Sequence, residues 1–199
     1  MKKILLISIL GLLFVDCSNE PKLNEGLLGS QNTEIVVENS GLVILNPYNR
    51  ALFERLNLLD NNQFISDNEN IKAVYCLQYL ATGFSQADES LLSLNKVLCG
   101  IAPQEYIGGS VEISNEEKAI MDSMIISAIS YWPAIGSSSV DGFRQNWLIR
   151  SGVLREEEDR WVLTVENRVY DILLDRNPVS FSVIRYPWMP KPLYVNWRS

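Results

Sequence analysis

The chain has 199 residues and a net charge of −7, with a pI near 4.7. No basic patch dominates, which excludes a nucleic-acid backbone as partner and attachment to anionic lipid by charge alone. Histidine is absent, which excludes Ser-His, Cys-His and His-metal mechanisms within the chain.

The chain opens with Lys2 and Lys3, followed by the uncharged run Ile4 to Val15. This is the n-region and h-region of an export leader, residues 1–16. The run is too short to cross ~30 Å of hydrocarbon as a helix. Its end, Phe14-Val15-Asp16-Cys17, resembles a bacterial lipoprotein signal, in which a Leu-like residue and two small residues precede the lipidated cysteine. Phe14 and Asp16 depart from that box. The resemblance implies lipidation at Cys17 and a membrane-anchored protein. Without processing, the segment is an apolar N-terminal helix and the chain stays in the cytoplasm. Residues 17–33, with Pro21, Gly26 and Gly29, read as a polar tether.

The folded domain is expected over residues 34–199. Ile35 to Val37 is β-prone, and Leu42 to Leu45 is a short apolar run. Asn46 as N-cap and Pro47 at the first helical position start a helix that carries Leu52, Phe53 and Leu56 on one face. Asp67 or Asn68 starts a second helix and Gly83 ends it. Its residues Ile71 to Ala81 leave almost no polar face, so it is expected in the middle of the domain, with Gln78 satisfied by an internal hydrogen bond. A third helix carries Leu91, Leu94 and Leu98 and closes at Gly100. Ser114 and Glu117 form a capping box for a fourth, with Met121, Met124, Ile125, Ala128, Ile129 and Trp132 on one stripe and Pro133 as the stop. Ser139 starts a fifth, which turns Phe143 and Trp147 inward and stops at Gly152.

The period then changes to that of strands. Trp161 to Val165, Tyr170 to Leu174, Phe181 to Tyr186 and Leu193 to Trp197 alternate, separated by turn residues. The expected class is α+β: about five helices in a compact bundle, then a small C-terminal antiparallel sheet.

Little in the chain points to chemistry. Cys76 and Cys99 sit in apolar helical patterns and read as buried, inert thiols. Gly108-Gly109 lacks the flanking strand and lysine of a phosphate loop. Arg155 to Arg160 reads as a solvated turn between the last helix and the first strand. Asp171 and Asp175, on one face of a strand, stand roughly 13 Å apart at ~3.3 Å per residue, too far for a glycosidase pair. No serine has a plausible base. Catalytic, cofactor and metal residues are therefore expected to be absent. Tyr186, Trp188, Met189, Tyr194 and Trp197 crowd the end of the chain, either as a protein interface or as aromatics closing the core.

The stretches "ENSGLVILNPY", "LFERLNLL", "AVYCLQYLATG", "LNKVLCG", "WPAIGSSSVDGFR", "YDILLDRNP" and "RYPWMPKPLYVNW" resemble, in order and spacing, the C-terminal domain of contractile injection system tape measure proteins. They cover about residues 34–197. The resemblance implies a structural part of a phage-tail-like particle, with tube, baseplate or spike subunits as partners, and no cofactor or reaction. Cys76 and Tyr131 stand near positions where that family usually has histidine, and read as packing substitutions. A tube of about 100 nm needs roughly 670 residues of helix, whereas the tether reaches ~55 Å. The expectation is thus the end domain without the ruler. The alternative expectation is an outer-envelope lipoprotein whose domain serves as a protein-binding module.

Overall fold

Six buried residues, Ser40–Leu45, form a 3-10 segment at the centre of the domain. The computed structural model describes residues 34–108 and 111–197; the leader, the tether and Cys17 lie outside them. Before the 3-10 segment stands β1 (Glu34–Val37). After it comes α1 (Asn46–Arg55), whose N-cap is Leu45; Asn46 is the first helical residue and not the cap expected from its type. Pro47 fits the first turn because the missing N–H has no helical partner there. A two-stranded hairpin, β2 (Leu59–Asp60) and β3 (Gln63–Phe64), turns through Asn61 and Asn62, both at positive φ, the backbone that a tight hairpin turn requires.

The second helix, α2 (Asp67–Thr82), is capped by Ser66, not by Asp67 or Asn68: the Ser66 hydroxyl accepts from the Asn68 N–H at 3.2 Å. Gly83 closes the helix at φ 82°. Every residue from Ala73 to Ala81 is buried, so α2 is the central helix its composition predicts. Gln78 is satisfied internally, its Oε1 accepting from Asn95 at 3.3 Å and Asn39 at 3.4 Å. A 3-10 turn (Glu89–Leu92) leads into α3 (Ser93–Leu98). Buried Lys96 on α3 donates to Glu89 Oε1 and the Glu105 carbonyl, each at 2.7 Å, and to the Pro103 carbonyl at 3.2 Å. Burial pushes the Glu89 carboxyl up, but the hydrogen bonds from Lys96 and the Ile107 N–H, with the Lys96 charge, outweigh it and hold the group below 4.5.

The capping box of α4 (Asn115–Tyr131) is present as read, with Ser114 and Glu117 exchanging hydrogen bonds. Met121, Ile125 and Ala128 face inward, and a 3-10 turn (Pro133–Ile135) follows. Ser139 caps α5 (Val140–Phe143), which runs on as a π-helical turn (Arg144–Leu148). Arg144 braces three helices: Nη2 donates to Asp122 on α4 at 2.7 Å, Nη1 to Asp141 on α5 at 3.0 Å and Nε to the Leu80 carbonyl on α2 at 3.1 Å.

The sheet differs from the sequence expectation in its strand directions and in where its strands come from. It is mixed, in the order β1-β4-β5-β7-β6. It is not purely C-terminal, because β1 forms one edge by pairing with β4 (Gly152–Glu156). Finally, β5 (Trp161–Val165) and β7 (Leu193–Asn196) run parallel, joined by the long crossover that parallel strands need. The run Arg155 to Arg160 belongs partly to β4 and turns between two strands, not between a helix and a strand. The predicted strand Tyr170 to Leu174 is a 3-10 helix, Val169–Arg176. The predicted strand Phe181 to Tyr186 shortens to β6 (Val183–Ile184). One sheet face buries Leu154, Leu163, Val165, Leu193, Val195 and Ile184 under the helical layer. Each fully buried aliphatic side chain contributes about 1.5–3 kcal/mol.

Candidate docking surface

Among the described residues no helix lies on the other sheet face, whose side chains are exposed or half-buried. Register places Glu34, Arg155, Val162, Tyr194 and Val183 in one row across all five strands. Val36, Val153, Thr164 and Asn196 form the next row. Strand alternation explains the separation: residues two apart share a face, and paired residues on neighbouring strands point the same way. Val36 is 65% exposed and Val183 51%. The rim is charged, with Glu34–Arg155 at 3.5 Å, Arg160–Asp159 at 2.8 Å and Arg168–Glu166 at 3.6 Å. Apolar side chains and a tyrosine beside polar residues and ion pairs make a mixed surface of the kind that protein interfaces use.

The five aromatic and Met candidates separate in the structure. Tyr194 stands on this face, 37% exposed, with the Arg160 guanidinium 4.8 Å from its ring centroid. Tyr186 and Met189 are buried. The Tyr186 hydroxyl donates to the Asn46 carbonyl at 2.8 Å and accepts from Asn49 Nδ2 at 3.1 Å; burial raises its pKa above the ordinary tyrosine value. Trp188 stacks on Tyr186 and donates Nε1 to the Leu98 carbonyl at 2.9 Å. Trp197 packs on Phe181 and reaches a buried ion pair.

That ion pair joins Arg150 to Asp171, both side chains almost fully buried. Arg150 Nη1 donates to the two Asp171 oxygens at 2.6 and 2.7 Å and to the Glu166 carbonyl at 3.3 Å. Nη2 donates to the Asn146 carbonyl at 3.1 Å. Trp197 Nε1 and the Arg168 N–H donate to Asp171 Oδ2 at 3.0 and 2.9 Å. The guanidinium also faces the rings of Trp147, Tyr170 and Trp197 at 4.9–5.8 Å. The sequence places Asp171 with Asp175 on one face of an expected strand and gives Arg150 no role. The aromatic neighbours at 147, 170 and 197 were the available signal, but their convergence is a tertiary fact.

The thiols carry no reactive geometry. Cys76 and Cys99 are free and buried, and burial pushes the Cys76 thiol up to about 12. Tyr131, expected as a packing substitution, is exposed at the end of α4. Among the described residues no group of Cys, Asp or Glu is placed to hold a metal, and no helix is long and apolar enough to cross a membrane.

In a comparison with known families, the model of the contractile injection system tape measure protein matches residues 18–197. Neither the curated proteins nor the solved structures yield a match. A match over nearly the whole chain, including every element that frames the sheet face, shows that the chain belongs to the contractile injection system tape measure protein family.

Proposed function

We propose that the folded domain is an attachment part of a contractile injection particle, and that it binds a neighbouring subunit through the sheet face opposite its helical layer. Membership of the family makes the chain a structural component that associates with other subunits of such a particle. The observation that carries the finer reading is the row Val162, Tyr194 and Val183, apolar, outward and rimmed by ion pairs. Measuring a tube requires extended reach, and the described residues fold back on themselves. Attachment therefore fits this domain better than length measurement. The test is co-purification of the tagged chain from its native cells with tube, baseplate or spike subunits. Val162→Thr with Tyr194→Asp, which keeps a β-prone residue on β5 and sets the new carboxylate near Arg160, should remove those subunits while leaving the circular dichroism and melting point near wild type. Undiminished recovery by the double variant overturns the sheet-face reading.

A second reading is a lipoprotein whose domain binds protein at the envelope, favoured by the run Ile4 to Val15 ending at Cys17. Membrane fractionation with labelled fatty acid, comparing wild type with Cys17→Ser, tests it. Equal distribution without label in either removes it.

A further inference from the structure

We propose that the free edge of β1 accepts an extended strand from a partner whose outward residues run basic, apolar, basic. The proposal rests on the docking reading above and supplies the chemistry of the partner at one end of that surface.

Three observations on β1 converge. First, its outer edge is open: among the described residues β1 makes no backbone hydrogen bond beyond its ladder with β4. An edge strand leaves alternate N–H and C=O groups pointing away from its neighbour, a template for another strand. Second, this edge is less blunted than the opposite one. At the opposite edge, β6 has two residues and lies between Pro178 and Pro187, with Arg185 next to it. Glu34–Val37 contains no proline or lysine, and its register with β4 runs without a bulge. Third, the outward side chains have a definite pattern. Ile35 and Val37 turn inward, whereas Glu34, Val36 and Glu38 are exposed.

The charges select the occupant. Glu34 has Arg155 at 3.5 Å on the β4 side, so a basic residue on the open side completes an alternating row. Glu38 accepts from Ser151 Oγ at 2.8 Å and has no ion-pair partner among the described residues. Val36 between them offers an apolar contact. A second copy of β1 is disfavoured: antiparallel pairing centred on Val36 sets Glu34 opposite Glu38 twice, and like charges directly opposite destabilise a ladder. The excess of acid over base in the chain as a whole, −7, acts in the same direction on a basic partner.

The probe is a seven-residue peptide with lysine at its second and sixth positions, valine at its fourth and threonine elsewhere. The control carries glutamate in place of lysine. Each is titrated into the full chain and followed by backbone amide shifts of β1 and β4. The lysine peptide should move the β1 amides and the glutamate peptide should not. Glu34→Lys with Glu38→Lys should weaken the lysine peptide about tenfold and admit the glutamate peptide. Methylation of alternate peptide amides should abolish binding. The proposal is overturned if wild type binds both peptides alike or neither, or if charge reversal changes nothing. It is overturned as well if the outward β1 amides are already protected from exchange in the free chain, which would place another segment of this chain or a second copy on the edge. Loss of subunits in the Val162→Thr, Tyr194→Asp experiment, with no peptide binding here, leaves the sheet-face reading standing and this one refuted; the reverse pattern does the opposite.

Discussion

Asp171→Ala is the substitution that the geometry makes most informative. It strands the Arg150 guanidinium, whose side chain is 0% exposed, with its principal charge partner gone. An uncompensated buried charge costs about 3–5 kcal/mol. The Trp197 indole and the Arg168 N–H also lose their acceptor; both residues are only partly buried, so water can replace it and together they add about 1 kcal/mol. The sum, about 4–6 kcal/mol, is a large part of the 5–15 kcal/mol that holds a typical domain. At about 2–4 °C per kcal/mol, the melting point should fall by about 10–20 °C. Urea unfolding followed by tryptophan fluorescence and by circular dichroism measures the change, with an unaltered slope confirming that the loss is one of stability. Arg150→Met combined with Asp171→Leu removes both charges and should recover to within about 2 kcal/mol of wild type. A cost below about 1 kcal/mol for Asp171→Ala, or a double variant less stable than the single, refutes the reasoning.

Gly41→Ala should cost about 3 kcal/mol or more, because its Cβ would stand 1.7 Å from the Trp147 carbonyl oxygen and backbone must move to admit it; soluble yield and thermal melting report the loss. In a Cys17→Ser background, thiol reagents at pH 8 should label Cys76 and Cys99 only as fast as the protein unfolds. The Cys76 thiol stays protonated in the folded state to about 12 against 9.0 when unperturbed. Its contribution to stability is therefore complete below pH 9 and declines above it, by up to about 1.4 kcal/mol per pH unit. Flat stability between pH 9 and 11 contradicts that burial.

The helices were legible where their signals are local. Ser114 and Glu117 mark the start of α4 within four residues of chain, and Gly83 marks the end of α2 by its backbone freedom. The sheet was less legible because its signals are not local. Alternation in Tyr170 to Leu174 suggests a strand with apolar residues inside. In the structure the polarity is inverted: Ile172 is 64% exposed and Asp171 2%. Arg150, far off in sequence, draws that carboxylate inward, so a polar residue anchors the turn. Gly152 reads as a helix stop but lies in β4, where Ser40 and the Thr164 carbonyl press too closely for a side chain. Tyr194 and Val162 share a row only because the β5–β7 register sets them opposite each other, and no pattern within either strand states that pairing. The proposed docking face thus emerges from topology: Val162, Tyr194 and Val183 stood in expected strands, whereas Val153 and Arg155 lie in β4, where the sequence suggested a helix end and a turn.

The placement of β7 has a consequence for synthesis. It fills an interior position of the sheet, between β5 and β6, and Trp197 just beyond it closes on Asp171. A nascent chain that has emerged only as far as Pro192 presents β5 as a long apolar edge with no neighbour on that side, a state open to aggregation and to proteases. The ribosome therefore releases a protected domain only once the final strand is out.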